Sequence, residues 1–251
     1  MFGVYVSINQ AFKDTCRIVL GGEVGELAAY RPYLLEMVQK PILHRSKLSG
    51  QEVYLSSPHF DSSASFISLG ELKQTSKPFD INQIKDIDSL RQAIGEQFYC
   101  GNKNIGQCVQ VEKADACTDC TNTLESSQML QDKNVAYGYA LRKNEGTFGC
   151  CWCGEVTFSI RAQGSFFSSR LFESYLCMRS AGLAFCMNCR DCTDSLFSFN
   201  QTAKHHLIGN RPLAPDQFRA IKAKLMAEVA EELCRKKRFP SLFELVGELD
   251  G

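Results

Sequence analysis

The strongest constraint on the fold is a stretch of chain that resembles itself. GTFGCCWCGEVTFSIRAQ (146–163) can be written above GSFFSSRLFESYLCMRSA (164–181), and both above GLAFCMNC (182–189) joined to TDSLFSFNQT (193–202). Arg190, Asp191 and Cys192 are set aside as a three-residue insertion. Gly146, Gly164 and Gly182 then open the rows, and Glu155, Glu173 and Asp194 share an acidic column. Phe158, Leu176 and Phe197 form an apolar column, as do Ile160, Met178 and Phe199; Ser159, Cys177 and Ser198 form a small-residue one. Upstream, VAYGYA (135–140) matches VTFSIR (156–161) at a spacing of 21, and CTDCTNTLESS (117–127) matches the run from Cys186 to Leu196. These two matches imply different registers upstream of residue 146.

A period of 18–21 residues is too short for two helices and fits three short strands with three tight turns, one rung of a parallel β-helix. One rung cannot bury its apolar face alone. Stacking at about 4.8 Å aligns equivalent columns into a continuous core. Val156, Phe158 and Ile160 alternate with Thr157 and Ser159, which predicts a strand with the first set pointing inward. On these residues the chain resembles the irregular, Cys-rich parallel β-helix (solenoid) proteins of microbial genomes, mostly without assigned function. The resemblance covers about 100 of the 251 residues and implies a fold rather than an activity.

The remainder reads as flanking structure, a mixed α and β frame around the central coil. Residues 1–100 form a mixed α/β N-terminal region, 101–204 the β-helix and 205–251 a C-terminal helical cap. In the first region Phe2 to Ile8, Arg17 to Leu20, Glu52 to Ser56 and Ser65 to Leu69 read as strands. Glu26 to Gln39 reads as helical but limited by Pro32, and Asp88 as the N-cap of a further helix. After Pro215, the stripe Phe218, Ile221, Leu225, Val229 and Leu233 predicts an amphipathic helix, with SLFELVGEL as a second. The amphipathic helix is expected to cover one open end of the coil and the N-terminal region the other.

Thirteen cysteines, an odd number, do not suit a secreted disulfide framework. No basic segment followed by an apolar run opens the chain, and no apolar stretch approaches a span of about 20 residues. Reduced thiols in a cytoplasmic protein are therefore expected. Lys plus Arg and Asp plus Glu both total 28, which removes the global basic field of a dedicated nucleic-acid binder. A local contact remains open through Arg235, Lys236, Lys237 and Arg238, which otherwise read as a solvated helix end.

Cys117/Cys120, Cys150/Cys153 and Cys186/Cys189 all carry the Cys-x-x-Cys spacing of zinc half-sites. In the stacked rows, however, Cys186 shares a column with Ser168 and Cys189 with Leu171. Cysteine then reads as a small buried hydrophobe at a tight corner. Zinc remains the alternative, through Cys186, Cys189 and Cys192 or through Cys117 and Cys120, with Cys192 set apart by its place in the insertion.

Hexapeptide-type acyltransferases also coil at 18 residues per turn, but the strict six-residue aliphatic recurrence is missing. His205 and His206 follow the coil without a partner motif. LGGEVGEL (20–27) reads as a Gly-Gly turn, since it matches neither nucleotide fingerprint. Asn200-Gln201-Thr202 is a glycosylation sequon lacking a secretory context. No Ser/His/Asp or Cys/His set emerges among four histidines. The reading is a non-enzymatic scaffold or interaction protein, which binds protein partners or copies of itself through the coil. A zinc module, an acyltransferase-like enzyme and a ribonucleoprotein component are the alternatives.

Overall fold

The computed structural model describes residues 2–74, 78, 80–149, 151 and 153–247; Cys150 lies outside them, and Phe158 is described by its backbone alone. The centre is a parallel β-solenoid whose main sheet has ten strands, parallel throughout except for the last. Its rung is 12 residues and not the expected 18–21: Lys133 lies beside Glu145, Glu145 beside Thr157, and Thr157 beside Ser169. The opposite wall follows the same interval, with Tyr139 beside Cys151, Gln163 and Tyr175 in successive turns.

The true unit is shorter still. From Gln110 to Gly149 and from Arg161 to Gly209 the backbone enters the left-handed region at three-residue intervals, as at Arg170, Glu173, Leu176 and Arg179 (φ +51°, +41°, +49° and +47°). Each such non-glycine residue costs roughly 1–2 kcal/mol of local strain, offset by the hydrogen bonds it sets up. Take 127–138. Ser127 N–H donates forward to Gly138 O (3.0 Å), and left-handed Ala140 N–H donates back to Ser127 O (3.1 Å). The third residue of a triplet points inward, and its N–H is often met by an inward side chain one turn earlier. Ser180 N–H donates to Ser168 Oγ (3.1 Å), Cys192 N–H to Ser180 Oγ (3.1 Å) and Val156 N–H to Asn144 Oδ1 (3.0 Å).

Four triplets make one turn, with inward residues at its four corners. Positions separated by any multiple of three share the same phase, so rows of 18, one and a half turns, align inward with inward. Gly146 and Gly182 are three turns apart on one wall, while Gly164 is half a turn round; all three take positive φ. The inward set is also corrected. Val156 and Ser159 are buried in the lumen side of the coil, whereas Ile160 packs outward into a second core beneath a helix.

That helix, α1 (Phe2–Leu20), replaces the two strands expected there. Val4, Ile8, Phe12, Cys16 and Leu20 recur every four residues and all are buried, a single helical stripe. α1 lies along the main sheet, touching six strands from Val109–Glu112 to Ser169–Phe172, and covers Leu124, Ala136, Phe148, Ile160 and Phe172. Leu27–Tyr30 forms a 3-10 turn running into α2 (Arg31–Leu35), with Pro32 in its first turn. α3 (Ile87–Gly95) is capped by Asp86, not Asp88, through a reciprocal box with Ser89.

Strands Ile42–Arg45 and Glu52–Leu55 pair antiparallel, and Ser65–Ser68 pairs with Phe98–Gly101 in parallel. This N-terminal layer joins the first turn through buried Asp115, which accepts from Ser56 N–H (2.8 Å) and Lys103 N–H (2.9 Å). At the other end the last parallel strand, His205–Ile208, is closed by antiparallel Arg211–Pro212, where proline suits a sheet edge. α4 (Pro215–Lys236) packs on that strand and returns along α1, burying Phe218, Met226, Val229 and Leu233; Leu225 is half-buried. It clasps the flank of the coil more than its end. α5 (Leu242–Gly247) follows.

Candidate functional site

Inward positions recur every three residues, so Cys-x-x-Cys is the spacing of successive corners of one turn. Cys186, Cys189 and Cys192 are three corners of a single regular turn, and Arg190-Asp191-Cys192 is one ordinary triplet, not an insertion. The predicted column partners therefore shift: Ser168 is an inward corner on the side of the coil opposite Cys186. Chemically the two remain equivalent. Ser168 Oγ donates to the carbonyls of Phe166 and Cys177 (both 3.1 Å), two residues back and nine ahead. Cys186 Sγ donates to Ala184 O (3.4 Å) and Ser195 O (3.3 Å), and Cys189 Sγ to Met187 O (3.5 Å) and Ser198 O (3.4 Å), at the same offsets.

Cys177, one turn before Cys189, joins this turn to make a thiol cluster that sequence reasoning missed. Its signal was present as a 12-residue spacing between equivalent corners. Interaction with the neighbouring thiols, Cys177 first and then Cys186, holds the Cys189 pKa below the usual thiol value. The hydrogen bond to Cys189 and then burial push Cys177 up, whereas burial leads for Cys186 and Cys192. Among the described residues, no group of three or more His, Cys, Asp or Glu is arranged to hold a metal ion.

Cys117 and Cys120 lie six turns away, about 29 Å along the axis, so the two candidate sets are separate. Among the described cysteines eleven are free thiols, but Cys153 is disulfide-bonded, against the fully reduced state expected.

The basic segment is largely engaged. Lys236 pairs with Glu232 (2.6 Å), and Arg238 pairs with Glu36 (2.8 Å) and Glu244. Lys237 is the left-handed C-cap of α4 and lies over the Tyr30 ring at 5.2 Å. Arg235 is exposed. Gly21, at φ +81° with its N–H on Arg17 O (3.1 Å), ends α1, so the Gly-Gly turn is a helix stop. His206 packs on Phe218 and on His205, both at 5.3 Å between rings.

A second cluster was also unforeseen. Arg161 and Glu173, left-handed residues of adjacent turns, are both nearly sealed (side chains 1% and 4% exposed) and pair at 3.0 Å. Arg161 also reaches Glu36 (3.1 Å) and stacks over Tyr33 at 4.1 Å, and the Tyr33 hydroxyl donates to Glu173. Burial, partly countered by Arg161, raises the Glu173 carboxyl to about 7. Glu173, Arg161, Glu36, Arg238 and Glu244 thus alternate in sign from the coil, past the residue after α2, to α5.

The outer face of the coil also carries exposed apolar side chains. Phe166, Phe167 and Leu176 are 40%, 62% and 45% exposed, and Phe243 of α5 is 43% exposed while packing edge-on against Tyr175. Met187, Phe197 and Phe199 line an adjoining groove.

No family model matches the chain, and no curated protein matches it. Among solved structures, a presumed acetyltransferase from Bacillus cereus is similar at 13% identity and a TM-score of 0.14, over 53% of this chain and 91% of that one. A likeness at that score carries no argument. The fold itself defines the class, a parallel β-solenoid built on triplets and flanked by helices. No helix among the described residues is long and apolar enough to cross a membrane.

Proposed function

We propose that the chain is a non-enzymatic scaffold whose coil offers its outer wall to a protein partner or to a second copy of itself. The observation that carries this reading is the run of exposed Phe166, Phe167 and Leu176 on adjacent turns. Phe166 and Phe167 share one side of the coil and Leu176 stands on the adjoining side one turn on; large apolar side chains exposed on a rigid surface are costly in water and mark interaction sites. The wall is preorganised, since each residue is fixed by hydrogen bonds to the turns on either side, so little ordering cost falls on binding. Repeat coils commonly use such extended surfaces in this way.

The test places a photo-crosslinking residue at Arg179, beside the patch, and compares the full chain with Phe167→Glu and Leu176→Glu. The expected result is a defined protein adduct, either a partner or a second copy, that both substitutions abolish while far-UV circular dichroism stays unchanged. Adducts that persist in both variants, or none at all from a chain monomeric at 100 μM, would sink the reading.

A further inference from the structure

α5 is a six-residue helix, too short to be stable alone, and the fold holds it by its ends. Ser241 and Glu244 cap each other: Ser241 N–H donates to Glu244 (2.7 Å) and Glu244 N–H to Ser241 Oγ (3.2 Å). Arg238 grips Glu244, and the backbone N–H of Leu242 donates to Glu173 of the coil. Leu242 is buried, and Leu245, three residues on, lies on the same helical face. Both face a groove floored by Met187, Phe197 and Phe199 and rimmed by Asn188 and Asn200.

The described residues fill the seat only in part. A space of about 570 Å³ remains in it, within the roughly 300–1,000 Å³ of sites that bury most of a ligand. Its lining is apolar apart from the two asparagines, and α5 already shows the spacing the groove accepts. The charge requirement is equally explicit, because Arg238 meets an acid at the third residue after the cap.

We propose that this groove is a receptor for an amphipathic helix of a partner protein, and that α5 is the chain's own occupant of the same seat. The partner helix carries large apolar residues at i and i+3 along the groove and has a carboxylate in its first turn for Arg238. Binding displaces α5 by competition, so affinity depends on how firmly α5 is held. The proposal rests on the scaffold reading only in being a protein-binding role; it uses a different patch from Phe166, Phe167 and Leu176.

The probe is a fluorescein-labelled peptide copy of residues 238–247, titrated into the full chain and read by fluorescence anisotropy. Weakening α5 in the chain with Glu244→Ala leaves Arg238 free for the peptide's own glutamate. This variant is expected to bind the peptide at least ten-fold more tightly than the parent chain. Adding Met187→Asp and Phe199→Asp is expected to abolish binding, and circular dichroism and melting check that the coil persists. In the parent chain, excess peptide is expected to speed hydrogen exchange at residues 242–247.

Equal affinity for the parent chain and Glu244→Ala, binding that survives the groove substitutions, or exchange unaffected by saturating peptide would each overturn the proposal. Phe167→Glu is expected to leave peptide binding intact. A failed peptide titration beside a persisting Arg179 adduct would therefore reject the helix receptor alone.

Discussion

The thiol of Cys189 and the hydroxyl of Ser168 perform one task, each donating to the carbonyls two residues back and nine ahead. Where serine, cysteine or asparagine holds a corner it donates to these carbonyls, and serine or asparagine also accepts the N–H from the next turn. Cys189→Ser is therefore expected to cost no more than about 1 kcal/mol in denaturant unfolding, while Cys189→Val, which loses the donor and adds bulk, costs about 2 kcal/mol or more. The same logic exposes a weak spot. Thr147 is fully buried and its hydroxyl has no partner, while Val135 occupies the equivalent corner one turn earlier. Thr147→Val is expected to raise stability by about 1 kcal/mol. Thiol exposure gives a third readout. Cys234 is exposed, whereas Cys117, Cys120, Cys177, Cys186, Cys189 and Cys192 are buried. Iodoacetamide should thus modify Cys234 in the native chain and reach the lumen thiols only on unfolding.

Among the elements, the junction of coil, α2 and α5 carries the sharpest electrostatic prediction. Glu173 titrates at about 7 in the folded chain against an ordinary 4.5. A raised folded pKa contributes stability that is complete below the unfolded value and is lost as pH rises through the folded one. Between about pH 4.5 and 7, stability should therefore fall more steeply in the parent chain than in Glu173→Gln, as read by urea midpoints across that range. Arg161→Met strands the buried carboxylate and is expected to cost roughly 3–5 kcal/mol near neutral pH. Little of this junction was legible in the sequence. Glu36, Arg161 and Arg238 are far apart in the chain, and the basic run that holds Arg238 does not point to the other two. The columns of the stacked rows each kept one phase of the coil, as with Ser159, Cys177 and Ser198, but the strand alternation misjudged which residues face the lumen, since Ser159 points in and Ile160 out. The length of the turn was not legible, because every multiple of three preserves that phase. α1 was hidden for a different reason. Phe2, Val4, Tyr5, Val6 and Ile8 favour strands locally, and only the four-residue stripe on to Leu20 reveals the helix.

For the whole molecule, the triplet makes some deletions tolerable and others ruinous. Removing Thr121 to Asp132 takes out one full turn and returns every remaining residue to its own corner. That variant should stay cooperatively folded, though less stable. Removing Thr121 to Gln131 turns the lumen residues outward downstream of the cut and should abolish the cooperative transition. Circular dichroism melts of the two deletions, one residue apart in length, check this. α1 adds a consequence of its own. A 19-residue helix is about 28 Å long, close to six turns of coil at about 4.8 Å each, and it touches six strands. The helix therefore works as a gauge laid against the coil. Any turn gained or lost beneath it leaves rod and stack of unequal length, with Val4 or Leu20 overhanging into water. The triplet lets this coil change size freely, and the helix beside it is what gives it a fixed one.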